Sequence, residues 1–188
     1  MSDPRSIRAE SCTVLMVPGI GNSDPEHWQS LWEIHDTSCL RVQQRDWDYP
    51  VRTEWCASLD AAAMRAGPDV VIAAHSLGCL LVAHWAATTV TAIRGALLVA
   101  VPDPGGPRFP VEAAGFATLP DATLRFPSIV VASTNDPYSS IQFAEYCAKR
   151  WGSRFINIGA AGHINSSSGL GVWPRGLALL QELRERRL

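Results

Sequence analysis

Short apolar runs rich in β-branched residues alternate with segments of helical periodicity along the whole chain. Six runs are short enough to be strands, and they cover residues 12–17, 39–43, 70–74, 95–101, 128–132 and 155–158. The helical segments cover residues 26–34, 53–66, 77–88, 140–151 and 174–187. This alternation is typical of βαβ units that build a parallel sheet. We therefore predict an α/β fold, a three-layer sandwich around a mostly parallel six-stranded sheet.

Several residues mark the expected ends of these elements. Ser23 or Asp24 can cap the first helix and Pro25 can begin it, while Pro174 suits the first turn of the last helix. The stretch 101–128 is crowded with proline and glycine and has room for one short helix at most. We expect no second domain in this stretch.

The composition adds limits on size, partners and location. A chain of 188 residues with 47% hydrophobic and 18% charged residues is expected to form one domain, residues 1–188, with its own core. The net charge of -2 provides no basic excess for nucleic acid. The polar start "MSDPRSIRAE" lacks the apolar core of a signal peptide, and no apolar run is long enough to span a membrane. We expect a cytoplasmic protein without nucleic-acid or membrane partners, and the sequence identifies no protein partner.

The cysteines carry no sign of a metal or redox site. The chain has five of them, without a C-x-x-C pair or a Cys/His ligand spacing: Cys12, Cys39, Cys56, Cys79 and Cys147. We interpret them as reduced, mostly buried small hydrophobic residues. Neither a metal nor an organic cofactor is expected.

The stretch Ala74-His75-Ser76-Leu77-Gly78 carries the clearest chemical signal. It follows a predicted strand, opens a predicted helix and has the layout of a nucleophile elbow, normally G-x-S-x-G. In such an elbow a sharp turn presents the serine hydroxyl outward, and small residues flank it because strand and helix crowd each other. Ala74 replaces the usual first glycine. The alternative is that Ser76 merely caps the following helix.

A serine nucleophile needs a base, and the base needs an orienting acid. In this fold class the partners follow in the order serine, acid, histidine, each in a loop after a strand. Asp136 lies after the fifth predicted strand and His163 after the sixth, so we expect them as acid and base. Asp103, after the fourth strand, is the alternative acid. His75 is expected to pack beside the site, and the remaining histidines fall in predicted helices: His27, His35 and His84.

Ligands of open α/β sheets bind beyond the carboxyl edge, where the strand order reverses. With the order 2-1-3-4-5-6, the loop "PGIGNS" after the first strand lies beside Ser76. We assign the oxyanion hole to the N–H of Leu77 together with that of Ile20 or Gly19. Asn22 and Ser23 are candidates to support this loop by hydrogen bonds.

Taken together, the motifs resemble those of the small α/β-hydrolase-fold serine hydrolases related to retinoblastoma-binding protein 9. The resemblance covers nearly the whole chain through "PGIGNSDPEHWQSLWE", "RVQQRDW", "AAHSLGC", "STNDPY" and "WGSRFINIGAAGHINSSSGLGVWP". It implies that Ser76, Asp136 and His163 form a catalytic triad. It also implies a hydrolase sheet shortened at its start, with no cap domain.

These residues predict a serine hydrolase that cleaves an ester, thioester or amide through an acyl-enzyme intermediate. An open, shallow site would suit small or short-chain acyl substrates. Aromatic residues are the candidate pocket walls: Trp47 and Tyr49 after the second strand, Phe109 or Phe116 from the irregular stretch, and Tyr138. The alternative is a non-catalytic binding protein that keeps the same fold.

Overall fold

The computed structural model describes residues 12–185, and this part of the chain contains six strands and five α-helices. The strands are β1 (Thr13–Val17), β2 (Cys39–Arg41), β3 (Val70–His75), β4 (Gly95–Val99), β5 (Ser128–Ala132) and β6 (Arg154–Asn157). The helices are α1 (Trp28–His35), α2 (Arg52–Ala66), α3 (Leu77–Thr88), α4 (Ile141–Trp151) and α5 (Pro174–Arg184). Two 3₁₀ helices are also present, Val111–Phe116 and Ser166–Ser168.

All six strands form one sheet in the order β2-β1-β3-β4-β5-β6. Every neighbouring pair is parallel, so the sheet is entirely and not just mostly parallel. Helices α1 and α5 cover one face, and α2, α3 and α4 cover the other. The predicted class, layers and strand order are confirmed, and no cap domain is present in residues 12–185.

The central strand β3 shows why the strands of this sheet have continuous apolar sequences. Val70, Ile72 and Ala74 belong to the core under α2, α3 and α4. Val71 and Ala73 point to the other face and join the core under α1 and α5. Because both faces of a parallel sheet are covered, every position along the strand is buried.

Helix α1 begins later than the sequence predicts. It starts at Trp28, after the N-cap His27, whose Nδ1 accepts the N–H of Gln29 at 3.2 Å. Asp24 instead accepts the N–H of Glu26 at 2.9 Å and closes a separate turn. The predicted caps Ser23 and Asp24, and the predicted start at Pro25, are therefore wrong.

Other boundaries differ from the predictions by small amounts. Strands β2 and β4 each end two residues early, at Arg41 and Val99, and β6 begins at Arg154. Pro174 opens α5 as predicted. That helix ends at Arg184, and the remaining predicted residues 186–187 lie outside the described part, as does the polar start 1–11.

The proline-rich stretch 101–128 holds the one short helix that its composition allows, Val111–Phe116. Phe116 is fully buried and packs edge-on against Trp55 of α2, with ring centroids 5.9 Å apart. This contact anchors the irregular stretch on the face of the sheet that α2, α3 and α4 cover. No helix within residues 12–185 is both long and apolar enough to cross a lipid bilayer.

Candidate active site

Ser76 occupies the sharp turn between β3 and α3. Its backbone has φ 53° and ψ −125°, in a region that non-glycine residues rarely adopt. Gly78 has no room for a side chain, because a Cβ there would lie 2.2 Å from the carbonyl oxygen of Val17. Ala74 is fully buried in the core, so its methyl group is accommodated where an elbow usually has its first glycine. The turn has the local geometry that is typical of a nucleophile elbow.

The side chain of Ser76 is not used as a helix cap. It accepts no N–H from the first turn of α3. Its Oγ lies 2.8 Å from Nε2 of His163. The hydroxyl is therefore directed away from the helix and toward an imidazole, which argues against the helix-cap interpretation.

His163 and Asp136 meet although they follow different strands. Nδ1 of His163 lies 2.9 Å from each carboxylate oxygen of Asp136, and the Asp136 side chain is 3% exposed. A carboxylate only accepts hydrogen bonds, so Nδ1 carries the proton and Nε2 is left to accept the proton of Ser76. Asp103 is occupied elsewhere, since its Oδ1 accepts the N–H of Gly105 at 2.8 Å in a tight turn.

The loop that carries His163 is tied to the loop that carries Asp136 by two residues that sequence reasoning missed. Oδ1 of Asn135 accepts the N–H of Gly162 at 2.7 Å. Oγ of Ser133 accepts the N–H of Ala161 at 2.9 Å and donates to Asn135. The sequence feature that could have identified these two residues is the polar run directly after β5, where short side chains can bind a neighbouring loop.

The loop after β1 lies against the elbow, as expected for the oxyanion hole. A Cβ on Gly19 would lie 2.9 Å from Cβ of Ser76 and 3.2 Å from the amide nitrogen of Leu77. Leu77 is the first residue of α3, so its N–H has no acceptor within the helix. The N–H of Ile20 donates to no acceptor in the described part of the chain. Ile20, Leu77 and Ser76 line one cavity, and neither of the two amides donates within the described part of the chain.

Arg41 holds this loop in place from strand β2. Its guanidinium donates to Oδ1 of Asn22 and to the carbonyl of Ser23, both at 3.0 Å, and pairs with Glu33 at 2.9 Å. Oγ of Ser23 donates to the buried side chain of Gln29 at 2.6 Å. Asn22 and Ser23 were expected to support the loop; the partners Arg41 and Gln29 were not anticipated, because they depend on packing across α1.

A cavity of about 380 Å³ opens above Ser76. Its walls come from the loop after β1, the elbow, the irregular stretch and the loops that carry Asp136 and His163. They are Gly19, Ile20, Asn22, Asp24, His27, His75, Ser76, Leu77, Pro102, Arg108, Phe109, Pro110, Tyr138, His163 and Asn165. Phe109 and Tyr138 are the two predicted pocket walls that line it, and the Tyr138 ring lies 4.5 Å from the ring of His163.

Three predicted pocket walls do not line this cavity. Phe116 lies in the core. Trp47 packs edge-on against Trp55 at 5.7 Å. Tyr49 is 68% exposed. The prediction is therefore wrong for Trp47 and Tyr49, and of the alternatives Phe109 and Phe116 the cavity is lined by Phe109. Long-range packing decides where these rings lie.

Two buried imidazoles lie next to the site. Burial lowers the pKa of His27 to about 4, and it also holds the pKa of His75 well below the usual value for histidine. Both side chains are therefore neutral at pH 7. His27 was expected to be an ordinary helical histidine, yet it caps α1 and lines the cavity. His75 packs against the ring of His163, as expected for a residue beside the site.

Within residues 12–185 the cysteines form no disulfide, and they lie outside the candidate site. All five thiols are unpaired, four are buried, and burial raises the pKa of Cys39 to about 12 and that of Cys56 to about 11. Such thiols stay protonated and behave as small apolar groups. Among residues 12–185 there is no group of three or more side chains that could hold a metal ion.

The chain is similar to known hydrolases in sequence and in structure. A family model described as serine hydrolase matches residues 14–182. A crystal structure of a YdeN-like hydrolase from Pectobacterium atrosepticum is 34% identical, with a TM-score of 0.81 over 92% of this chain and 90% of that chain.

Two further structures share the fold at low identity. A thermophilic esterase from Thermogutta terrifontis is 18% identical, with a TM-score of 0.63 over 92% of this chain and 89% of that chain. The RedJ thioesterase from Streptomyces coelicolor is 16% identical, with a TM-score of 0.64 over 93% and 85%. No curated protein matches the sequence.

Proposed function

The chain belongs to the serine hydrolase family, and we propose that it cleaves small esters, thioesters or amides through a Ser76–His163–Asp136 triad. The observation that carries the proposal is the continuous set of contacts from Ser76 Oγ to His163 Nε2 and from His163 Nδ1 to Asp136. This is the arrangement that activates a serine hydroxyl at neutral pH.

In the first step Oγ of Ser76 attacks the substrate carbonyl carbon while Nε2 of His163 takes the hydroxyl proton. The carbonyl π bond opens and places the negative charge on oxygen, where the N–H groups of Leu77 and Ile20 can donate to it. Asp136 keeps the proton on Nδ1 and stabilises the imidazolium that forms.

The tetrahedral intermediate then collapses. The bond to the leaving group breaks, and the leaving group takes the proton from Nε2 of His163. Water enters, gives a proton to the same nitrogen and attacks the acyl carbon. The second collapse releases the acid and returns the proton to Ser76. These steps need no metal or cofactor.

The size of the cavity and the fold neighbours support a small acyl substrate. About 380 Å³ is at the low end of ligand pockets and suits a short acyl chain. One neighbour is described as an esterase and another as a thioesterase, which supports acyl transfer to water from oxygen or sulfur.

We propose that residues 1–188 form one hydrolase domain. The motifs around Ser76, Asp136 and His163 support a relationship to the hydrolases similar to retinoblastoma-binding protein 9. We also propose a cytoplasmic location, because five cysteines without a disulfide are typical of reducing compartments.

A fluorophosphonate probe and a panel of p-nitrophenyl esters of increasing chain length test the proposal. The wild type should be labelled and should hydrolyse the short esters, whereas Ser76→Ala should be neither labelled nor active, and His163→Ala should lose most turnover. Ser58→Ala, a change on α2 away from the cavity, is the matched control and should behave as wild type. If the folded wild type is neither labelled nor active on any ester, the hydrolase proposal is wrong and the alternative of a non-catalytic binding protein is favoured.

A further inference from the structure

His75 directly precedes the nucleophile and contacts the proposed base from the other side. Its side chain is buried, and Nε2 lies 2.9 Å from the backbone carbonyl oxygen of His163. A carbonyl oxygen only accepts hydrogen bonds, so Nε2 of His75 carries a proton and donates it. The rings of the two histidines also meet edge-on, with centroids 4.9 Å apart.

We propose that His75 is a positioning residue, which holds the carbonyl of His163 and so fixes the backbone from which that imidazole reaches Ser76. This inference rests on the function proposed above, since it concerns the geometry of the same triad. It assigns His75 no contact with the substrate carbonyl and no proton transfer.

The backbone around His163 requires such support. Gly162 has φ 56° and Ile164 has φ 51°, so the imidazole is carried between two residues in the left-handed region. For a β-branched residue such as Ile164 this conformation is strained, and it persists only where surrounding contacts enforce it. A loop released from these contacts would relax and move the imidazole.

Three consecutive residues of this loop are each held by a side chain from a different element. Asn135, after β5, accepts the N–H of Gly162 at 2.7 Å, and Trp28 of α1 donates its indole N–H to the carbonyl of Ile164 at 2.9 Å. His75 of β3 holds the residue between them. Of the three holding residues, His75 is the one bonded directly to Ser76 in the chain, so it fixes nucleophile and base relative to each other.

The surroundings of His75 keep it a neutral donor. Burial, and the neighbouring His163 and His27, lower the pKa of His75 well below the usual value for histidine. The His27 ring covers it edge-on at a centroid distance of 4.6 Å. A neutral imidazole adds no positive charge beside His163 when that residue takes up the proton of Ser76.

The test compares His75→Phe, which keeps a ring but removes the donor, with His75→Gln, whose amide N–H can reach a similar distance. For hydrolysis of p-nitrophenyl acetate we expect His75→Phe to lower kcat by about 10- to 100-fold with KM within about 3-fold, because a misplacement of about 1 Å costs about that much. His75→Gln should recover kcat to within about 5-fold of wild type. His84→Phe, on α3 and outside the cavity, is the matched control.

A second arm separates positioning from a general loss of stability. In a His163→Ala background, His75→Phe should cause no further loss of turnover, because its effect passes through the imidazole. Thermal unfolding identifies variants that do not fold. If His75→Phe does not fold, His75→Asn replaces it, since its amide is one methylene shorter than that of glutamine and falls short of the carbonyl.

The inference is overturned if a folded His75→Phe keeps wild-type kcat, if His75→Gln has no higher kcat than His75→Phe, or if His75→Phe lowers turnover equally in the His163→Ala background. Where His75→Asn replaces His75→Phe, the same three outcomes apply to it. Failure of the proposed function gives a different result, because the wild type itself would then be neither labelled by fluorophosphonate nor active on the ester.

Discussion

Gly19, in the loop after β1, is in contact with Ser76, in the turn after β3. A Cβ atom on Gly19 would lie 2.9 Å from Cβ of Ser76 and 3.2 Å from the amide nitrogen of Leu77. Atoms this close cannot both keep their positions. The loop after β1 and the elbow therefore fit together only because residue 19 has no side chain.

Gly19→Ala should separate this loop from the elbow and misplace the amides proposed to bind the oxyanion. Loss of one such donor typically lowers kcat by about 10²- to 10³-fold, and we expect a loss of that order with little change in KM. Steady-state hydrolysis of p-nitrophenyl acetate measures it. Gly115→Ala is the control, because its Cβ would make an ordinary contact of 3.6 Å with Arg52. Equal activity of the two variants would contradict the assignment.

Asp136→Asn tests which carboxylate orients His163. Both oxygens of Asp136 lie 2.9 Å from Nδ1 of His163, whereas Asp103 accepts the N–H of Gly105. An asparagine at 136 can present an N–H to the imidazole and favour the wrong tautomer, so kcat should fall by about 10³- to 10⁴-fold. Asp103→Asn keeps an oxygen for its turn and should stay within about 3-fold of wild type. The reverse order of these effects would identify Asp103 as the acid.

Local signals in the sequence were sufficient to locate the strands and helices and so to predict a parallel sheet, whereas the strand order was taken from the hydrolase fold that the motifs resemble. Strand β5 and helix α3 have the predicted boundaries, Ser128–Ala132 and Leu77–Thr88. Both are dense in apolar residues and bounded by turn signals, so periodicity alone locates them. The predicted start of α1 was wrong, because Asp24 closes a turn of its own and His27 is an unusual cap.

For the site, chain order and residue type were sufficient to select the triad candidates, but they could not select the pocket. Trp47 and Phe116 follow predicted elements much as Phe109 does, yet only Phe109 lines the cavity. What separates them is packing against α2 and α3, which involves residues far apart in sequence. The support given by Arg41 and the contact of His75 with the His163 carbonyl have no local sequence signal for the same reason.

Ala74→Gly tests whether the missing first glycine of the elbow limits activity. Ala74 is fully buried in the core under α2, α3 and α4 and does not line the cavity above Ser76. We expect kcat to stay within about 2-fold, while glycine in a strand lowers the free energy of unfolding by about 1 kcal/mol. Denaturant unfolding and ester hydrolysis measure the two effects. A large gain in kcat would mean that alanine does constrain the turn.

His27 predicts a pH dependence of stability. Its folded pKa of about 4 lies below the ordinary 6.5, so the unfolded chain binds more protons between these values. Stability is therefore complete above pH 6.5 and is lost as the pH falls toward 4, by up to about 3 kcal/mol from this residue.

His27→Asn removes this titration and keeps a good helix cap. In urea unfolding at pH 7.5, 6.5, 5.5 and 4.5, the free energy of unfolding of the wild type should fall relative to that of this variant as the pH falls. Parallel curves over that range would show that His27 is not buried as a neutral imidazole.

Phe109 and Phe116 belong to the same irregular stretch but should respond to truncation in opposite ways. Phe109 is partly buried and lines the cavity, so Phe109→Ala should change KM and kcat across p-nitrophenyl esters of different chain length while thermal unfolding stays close to wild type. Phe116 is fully buried against Trp55, so Phe116→Ala should lower the free energy of unfolding by about 3 to 5 kcal/mol. Its chain-length profile should keep the wild-type shape in whatever fraction is folded. A shifted profile for Phe116→Ala alone would mean that the acyl group lies toward α2 instead of against the wall that carries Phe109.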